Sequence, residues 1–161
     1  MTEMNLGGEY LVFLMKGQYF GIKAADVHQI NQIGATTQIP SMPKYVLGVM
    51  NFEEKIVPIV DLRLKFGMEA LKHSRESCVV VITGMHGLIG IVVDQVKEVQ
   101  YFRSEQIENP PVIGDLFKQS FVMGMGKIEN QIVLLIDIVQ ALAAIETPHE
   151  ESIPEEMEAA A

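Results

Sequence analysis

Short apolar runs broken by polar or glycine-bearing turns recur along this chain, and they come in pairs. Leu11–Met15 and Tyr19–Ile22 lie either side of Lys16-Gly17-Gln18. Cys78–Thr83 and Leu88–Val93 flank Gly84-Met85-His86-Gly87. Val46–Phe52 and Ile56–Val60 are separated by Glu53-Glu54-Lys55, and Val122–Ile128 and Ile132–Ile136 by Glu129-Asn130-Gln131. Runs of this length bounded by turn residues predict β-hairpins. After the last strand of two pairs stands an aspartate in helix N-cap position. Asp61 opens Leu62–Phe66, which Gly67 stops, and Asp137 opens the longer Ile138–Ile145. The segment Ala24–Val27 has the character of a helical turn between strands.

The pairs are copies of one unit. Leu11–Ile30 aligns with Val80–Val99 at an offset of 69, placing Gly21-Ile22 on Gly90-Ile91 and Val27 on Val96. Tyr45–Leu62 aligns with Phe121–Ile138 at an offset of 76. There Val46, Gly48, Glu53, Ile56, Val57 and Asp61 recur as Val122, Gly124, Glu129, Ile132, Val133 and Asp137. The offset grows because the second half has a longer connector, including Asn109-Pro110-Pro111. Four or five short strands per unit close best as a small barrel. The expected fold is therefore all-β, two small five-stranded SH3-like barrels related by an internal pseudo-two-fold duplication. Short helices, one of them C-terminal, complete it. The halves run approximately over residues 9–68 and 76–145, followed by an acidic disordered tail at 146–161.

Charge changes the picture only at that tail. Of the net charge of −9, the segment Glu146 to Ala161 contributes six Glu and no Lys or Arg. The rest holds 15 acidic residues (21 less 6) against 12 basic ones, or −3. An acidic body without a basic stripe repels a phosphate backbone, which argues against nucleic-acid binding. Mean hydropathy is positive at +0.22. No apolar run approaches the roughly 18 residues that read as a membrane span, and Ile132–Ile136 is among the longest. The start Met1-Thr2-Glu3-Met4-Asn5 has no signal-peptide pattern. A lone cysteine, Cys78, suits a reducing compartment. Direct membrane insertion is not expected, and the expected location is cytoplasmic.

The search for chemistry yields no catalytic set, metal site or cofactor site. Histidines at 28, 73, 86 and 149 have no ligand spacing. Cys78 has no nearby cation in sequence to activate it, so a packing role is expected. Gly84-x-x-Gly87-x-x-Gly90 lacks the P-loop spacing and lysine, and falls within a hairpin. Asp61 and Asp137, which could be imagined as a catalytic pair, are each accounted for by capping. Ten methionines, including Met15, Met50, Met85 and Met125, suit either gap-filling or an adaptable protein-binding surface.

Several of these segments resemble the CheW-like family. Tyr10-Leu11-Val12-Phe13 with Tyr19-Phe20-Gly21-Ile22 is similar to its opening hairpin, and Ile39-Pro40-Ser41-Met42-Pro43 through Asn51 to its proline-flanked central strand. Ile56-Val57-Pro58-Ile59-Val60-Asp61-Leu62-Arg63 resembles its most specific motif, and Gly90-Ile91-Val92-Val93-Asp94 the matching stretch of the second half. The likeness spans about residues 9–145. It implies a non-enzymatic scaffold that couples methyl-accepting chemoreceptors to a CheA-type histidine kinase, at the cytoplasmic face of inner-membrane receptor arrays. The implied kinase contact, to the regulatory domain, falls on Gly48, Val49, Asn51, Ile56 and Pro58. The implied contact with the receptor's cytoplasmic tip falls on Val27, Gln29, Ile30, Glu53, Val99 and Gly124. From the residues alone, Val27, Ile30, Ile56 and Val99 also fit a core role, and Gly48 and Gly124 fit bulges.

Two positions depart from the family pattern, both on the receptor side. Where the family continues Asn-Leu-Arg-Gly this chain has Asn51-Phe52-Glu53-Glu54, and a position commonly Glu is Gln29. Two alternatives stay open: an auxiliary adaptor of a pilus-type, non-flagellar system, and, from another class, a small-barrel ligand-binding domain or enzyme.

Overall fold

The structure, a computed structural model, describes residues 6–68, 75–110 and 121–142. It contains ten strands: β1 Gly8–Met15, β2 Gln18–Lys23, β3 Val27–Gln32, β4 Val46–Phe52, β5 Lys55–Asp61, β6 Cys78–Gly84, β7 Gly87–Val93, β8 Gln95–Phe102, β9 Val122–Ile128 and β10 Gln131–Ile136. Helix α1 spans Leu62–Lys65, and residues 138–142 form a further helical segment. Short 3-10 turns occupy Ala24–Asp26 and Ser104–Gln106.

The four expected hairpins are present, with loops tighter than the sequence pattern implied. Lys16-Gly17, Glu53-Glu54 and Glu129-Asn130 each have positive φ at both positions. That is the twist a two-residue hairpin needs, so each strand gains a residue that had been placed in the turn. The aspartate caps are also there. Asp61 Oδ1 accepts the Arg63 N–H at 3.0 Å, and Asp137 Oδ1 accepts the Gln140 N–H at 3.1 Å. The helix after Asp137 continues only to residue 142 within the described residues, and the expected tail lies outside them.

The ten strands form two five-stranded sheets, in the orders β8-β1-β2-β10-β9 and β3-β6-β7-β5-β4. These orders interconvert when each strand is exchanged for its counterpart in the other sequence copy, so the pseudo-two-fold is real. The sheets are nevertheless not the sequence halves. Each takes strands from both, joined by a parallel pair, β2 with β10 or β5 with β7, and by an antiparallel pair, β1 with β8 or β3 with β6. The physical reason lies in the runs themselves. β1, β6 and β7 are apolar on both faces, as strands buried on both sides are. One face of β1, with Tyr10 and Val12, fills its own barrel beside Phe102, Val133 and Leu135. The other, with Leu11, Phe13 and Met15, meets Val80, Ile82 and Ile91 between the barrels. Phe52, Val57, Ile59, Val79, Val81 and Val92 fill the second barrel.

Each sheet closes through the connector that follows its edge strand. Thr37 bridges to Val49 of β4, and Glu108 bridges to Met125 of β9. The closure requires glycine at Gly48 and Gly124, both beside register shifts. A Cβ on Gly48 would stand 2.3 Å from the Thr37 carbonyl oxygen, at a φ of +142°. Gly48→Ala is therefore expected to cost about 2–4 kcal/mol in urea denaturation, from strain and overpacking together. A loss under about 0.5 kcal/mol, the range of an ordinary surface change, would show that this seam is not closed.

Candidate functional site

The residues singled out on β4 and β5 assemble into one face. Val49 pairs directly with Pro58, and Asn51 with Ile56. Directly paired residues share a side of the sheet, and strand alternation sends the neighbours Val57 and Ile59 into the barrel. Ile56 is 76% exposed and Asn51 is exposed, while Val49 and Pro58 are half-buried. An isoleucine so exposed in a chain with a well-filled core is the feature that sets this face apart. Gly48 is buried beneath Thr37, so it shapes the face and contributes no side chain to it.

The second set is distributed over both barrels. Val27, Gln29 and Ile30 lie on edge strand β3, and Val99 on edge strand β8. Ile30 pairs with Val80 and Val99 with Leu11, both of which belong to the cluster between the barrels. Sharing their partners' side, Ile30 and Val99 border that seam, and both are substantially exposed. Val27 is half-buried against the same cluster. Gly124 is buried under Ile107 and Glu108, the counterpart of Gly48 in the other barrel.

Glu53, in the β4–β5 turn, has a partner that sequence reasoning missed. Its Oε1 is 3.7 Å from His28 Nε2, and the His28 ring stands edge-on to Phe52. β3 thus carries the neutral Gln29 beside His28, and the turn carries a carboxylate, Glu53. The sequence signal was the departure at Glu53 itself. Gln29 is exposed on the same strand.

Also missed was an ion cluster inside the molecule. Arg63, 1% exposed, reaches Asp61 through Nε at 3.3 Å and Nη2 at 3.2 Å, and Asp94 through Nη1 at 3.2 Å. Asp94 Oδ2 accepts the Lys16 N–H at 2.7 Å. This ties α1 to the β1–β2 turn of the other barrel. Asp61 is thus a structural anchor as well as a cap.

Among the described residues no group of three or more His, Cys, Asp or Glu is placed to hold a metal. His86 is exposed in the β6–β7 turn, and His73 and His149 lie outside the described residues. Cys78 is half-buried against the inter-barrel cluster, where burial raises its thiol pKa and keeps it protonated. Among the described residues no helix is long and apolar enough to cross a membrane.

A duplicated pair of barrels with an exposed aliphatic sheet face offers surfaces that suit a protein of the scaffold class. The CheW-like domain model matches residues 9–146. The chemotaxis protein CheW of Klebsiella aerogenes is 30% identical over 142 residues, covering 88% of this chain and 86% of that protein. The crystal structure of the scaffolding protein TtCheW from Thermoanaerobacter tengcongensis superposes with a TM-score of 0.77 at 26% identity, covering 85% of this chain and 93% of that one. The chain belongs to the CheW-like family and is a scaffold of chemotaxis signalling. The pilus-type auxiliary reading is not favoured. The Pseudomonas aeruginosa protein PilI is 30% identical, but over 117 residues and 64% of its length.

Proposed function

We propose that the chain, as a non-catalytic adaptor in the cytoplasm, couples methyl-accepting chemoreceptors to a CheA-type histidine kinase. The kinase regulatory domain docks on the outward face of β4 and β5, made by Val49, Asn51, Ile56 and Pro58 and shaped by Gly48. The observation that carries this is the exposed Ile56 in a paired, outward-facing patch. Exposed aliphatic side chains on a regular sheet face suit a partner that buries them. Titration of the chain with the isolated regulatory domain is the direct test. Binding at about micromolar affinity, some −8 kcal/mol, is expected; no measurable heat or shift at tenfold higher concentration overturns the reading.

The receptor tip, a helical hairpin, packs along the seam bordered by Val27, Gln29, Ile30 and Val99, with Glu53 and the Gly124 bulge at its margins. A helix in an apolar groove is a common recognition mode. The carboxylate of Glu53 selects a receptor that offers Lys or Arg to it, because like charges across an interface cost several kcal/mol. Replacing Gln29→Glu, Glu53→Arg and Glu54→Gly together is expected to strengthen binding to a receptor tip presenting carboxylates, by about tenfold, or 1.4 kcal/mol. Kinase affinity stays within about twofold in that variant, since an exposed charge pair contributes only 0.2–1 kcal/mol and leaves the fold intact. Unchanged receptor affinity at both low and moderate salt would refute the charge argument.

A further inference from the structure

The connector between β3 and β4 forms a groove of about 510 Å³, at the end of the β4–β5 hairpin opposite its Glu53-Glu54 turn. Ile39, Pro40, Met42, Pro43 and Leu47 line it together with Lys44, and none of its described lining residues is acidic. Ile39, Pro40 and Pro43 are exposed, so apolar lining faces water. The two prolines fix their own φ, which stiffens the connector and leaves the groove pre-formed. A second lysine stands next to it. The Val46 N–H donates to the Pro43 carbonyl and the Asp61 N–H to the Tyr45 carbonyl, which seats Tyr45 between the connector and α1. Lys65 of α1 holds its Nζ 5.0 Å from the centre of the Tyr45 ring. The body carries more acidic than basic residues, so a corner with two lysines and no acidic lining attracts an acidic segment that most of the surface repels.

We propose that this groove seats the chain's own acidic segment, residues 146–161, with Ile153-Pro154 on the apolar lining and glutamates beside Lys44 and Lys65. Sequence pattern is one ground. Glu150-Glu151 and Glu155-Glu156 bracket Ile153-Pro154, so the segment has an apolar centre with acidic flanks. Reach is the second. Phe66, at the end of α1, stacks on Phe121 at 6.5 Å, and the Asp137 N–H donates to the Phe121 carbonyl. The helical segment 138–142 therefore starts beside α1. At about 3.3 Å per residue, the stretch from residue 142 to Ile153 spans up to roughly 36 Å, enough to pass α1 and lie along the groove. Tethering is the third ground, because a short flexible link supplies a millimolar effective concentration and populates even a weak contact. The inference goes beyond the kinase and receptor readings and depends on neither. It gives the groove a resident, which an acidic, proline-bearing segment of another protein must displace.

Paramagnetic broadening of amide resonances in the full chain tests the placement. The nitroxide is carried on Ser152→Cys, in a Cys78→Ala background that leaves one thiol to label. It is expected to broaden the Ile39, Ser41, Met42 and Leu47 amides at low salt, and at least twofold less at high salt, where the attraction is screened. Lys44→Glu, at an exposed position, is expected to cut the low-salt broadening by about half or more. The same loss is expected when Glu150→Gln, Glu151→Gln, Glu155→Gln and Glu156→Gln are combined, a change that leaves the barrels untouched. Absence of broadening at these four amides overturns the proposal, as does broadening that neither Lys44→Glu nor the glutamine variant reduces. Mixing spin-labelled chains with separately isotope-labelled ones distinguishes a second copy as the occupant. Broadening of full size in that mixture overturns the intramolecular seat, and its absence there supports it.

Discussion

Arg63→Met is expected to lower the unfolding free energy by about 3–5 kcal/mol, a large part of the 5–15 kcal/mol that holds a typical domain together. The side chain is almost wholly buried and meets Asp61 in a two-pronged contact while its remaining terminal nitrogen holds Asp94. Methionine roughly fills the space but leaves the 3%-exposed Asp61 carboxylate without its cation. Losing one partner of a buried pair is much worse than replacing the whole group, because the remaining charge keeps its desolvation penalty. Asp94 also holds the Lys16 N–H, and its own N–H donates to the Leu14 carbonyl, so the damage spreads to the contact between barrels. Arg63→Lys should fall between the two proteins, keeping the charge and losing the planar fork. Urea denaturation measures the series. A loss below about 1 kcal/mol for Arg63→Met, no more than an exposed ion pair supplies, would show that the cluster is not a structural keystone.

Ile56→Glu carries the largest expected effect on binding with the least on folding. The side chain is 76% exposed in the free protein, so the change should move stability by no more than about 0.5 kcal/mol. In the docked complex the same position would be covered, and a glutamate there must lose its water with no partner supplied. A cost on the order of 2–4 kcal/mol follows, or roughly 30- to 700-fold in affinity for the kinase regulatory domain. That is enough to remove a micromolar complex from a pull-down. Circular dichroism and the urea midpoint establish that the variant is folded before binding is compared. A folded Ile56→Glu protein that binds at full strength would exclude the β4–β5 face as the docking surface.

What the sequence determined by itself was everything governed by neighbours along the chain. Hairpins such as Lys16-Gly17, the caps at Asp61 and Asp137, and the duplication of Gly21-Ile22 as Gly90-Ile91 are local signals or comparisons of the chain with itself. The resemblance carried by Ile56 through Arg63 placed the family on the same footing. β3 and β8 were harder. His28-Gln29-Ile30-Asn31 and Lys97-Glu98-Val99-Gln100 are largely exposed edges without a clean apolar alternation, so they appeared in the repeat without announcing themselves as strands. Some non-local features did leave a trace, as departures from the duplication. Arg63 and Asp94 stand where the other copy has Val139 and Ala25, and Pro58 stands where it has Leu134.

Only the tertiary structure decided which strands share a barrel. Two copies of one unit can each close alone or exchange strands, and both arrangements satisfy the same pattern of apolar runs. The parallel pairs β2–β10 and β5–β7, with the antiparallel pairs β1–β8 and β3–β6, settle that choice in favour of exchange, and the packing of the resulting barrels buries both faces of β1, β6 and β7. The tertiary structure alone also showed which of Ile30, Ile56 and Val99 face water. An isoleucine on a strand is apolar in either direction, and its exposure depends on what the rest of the chain places over it.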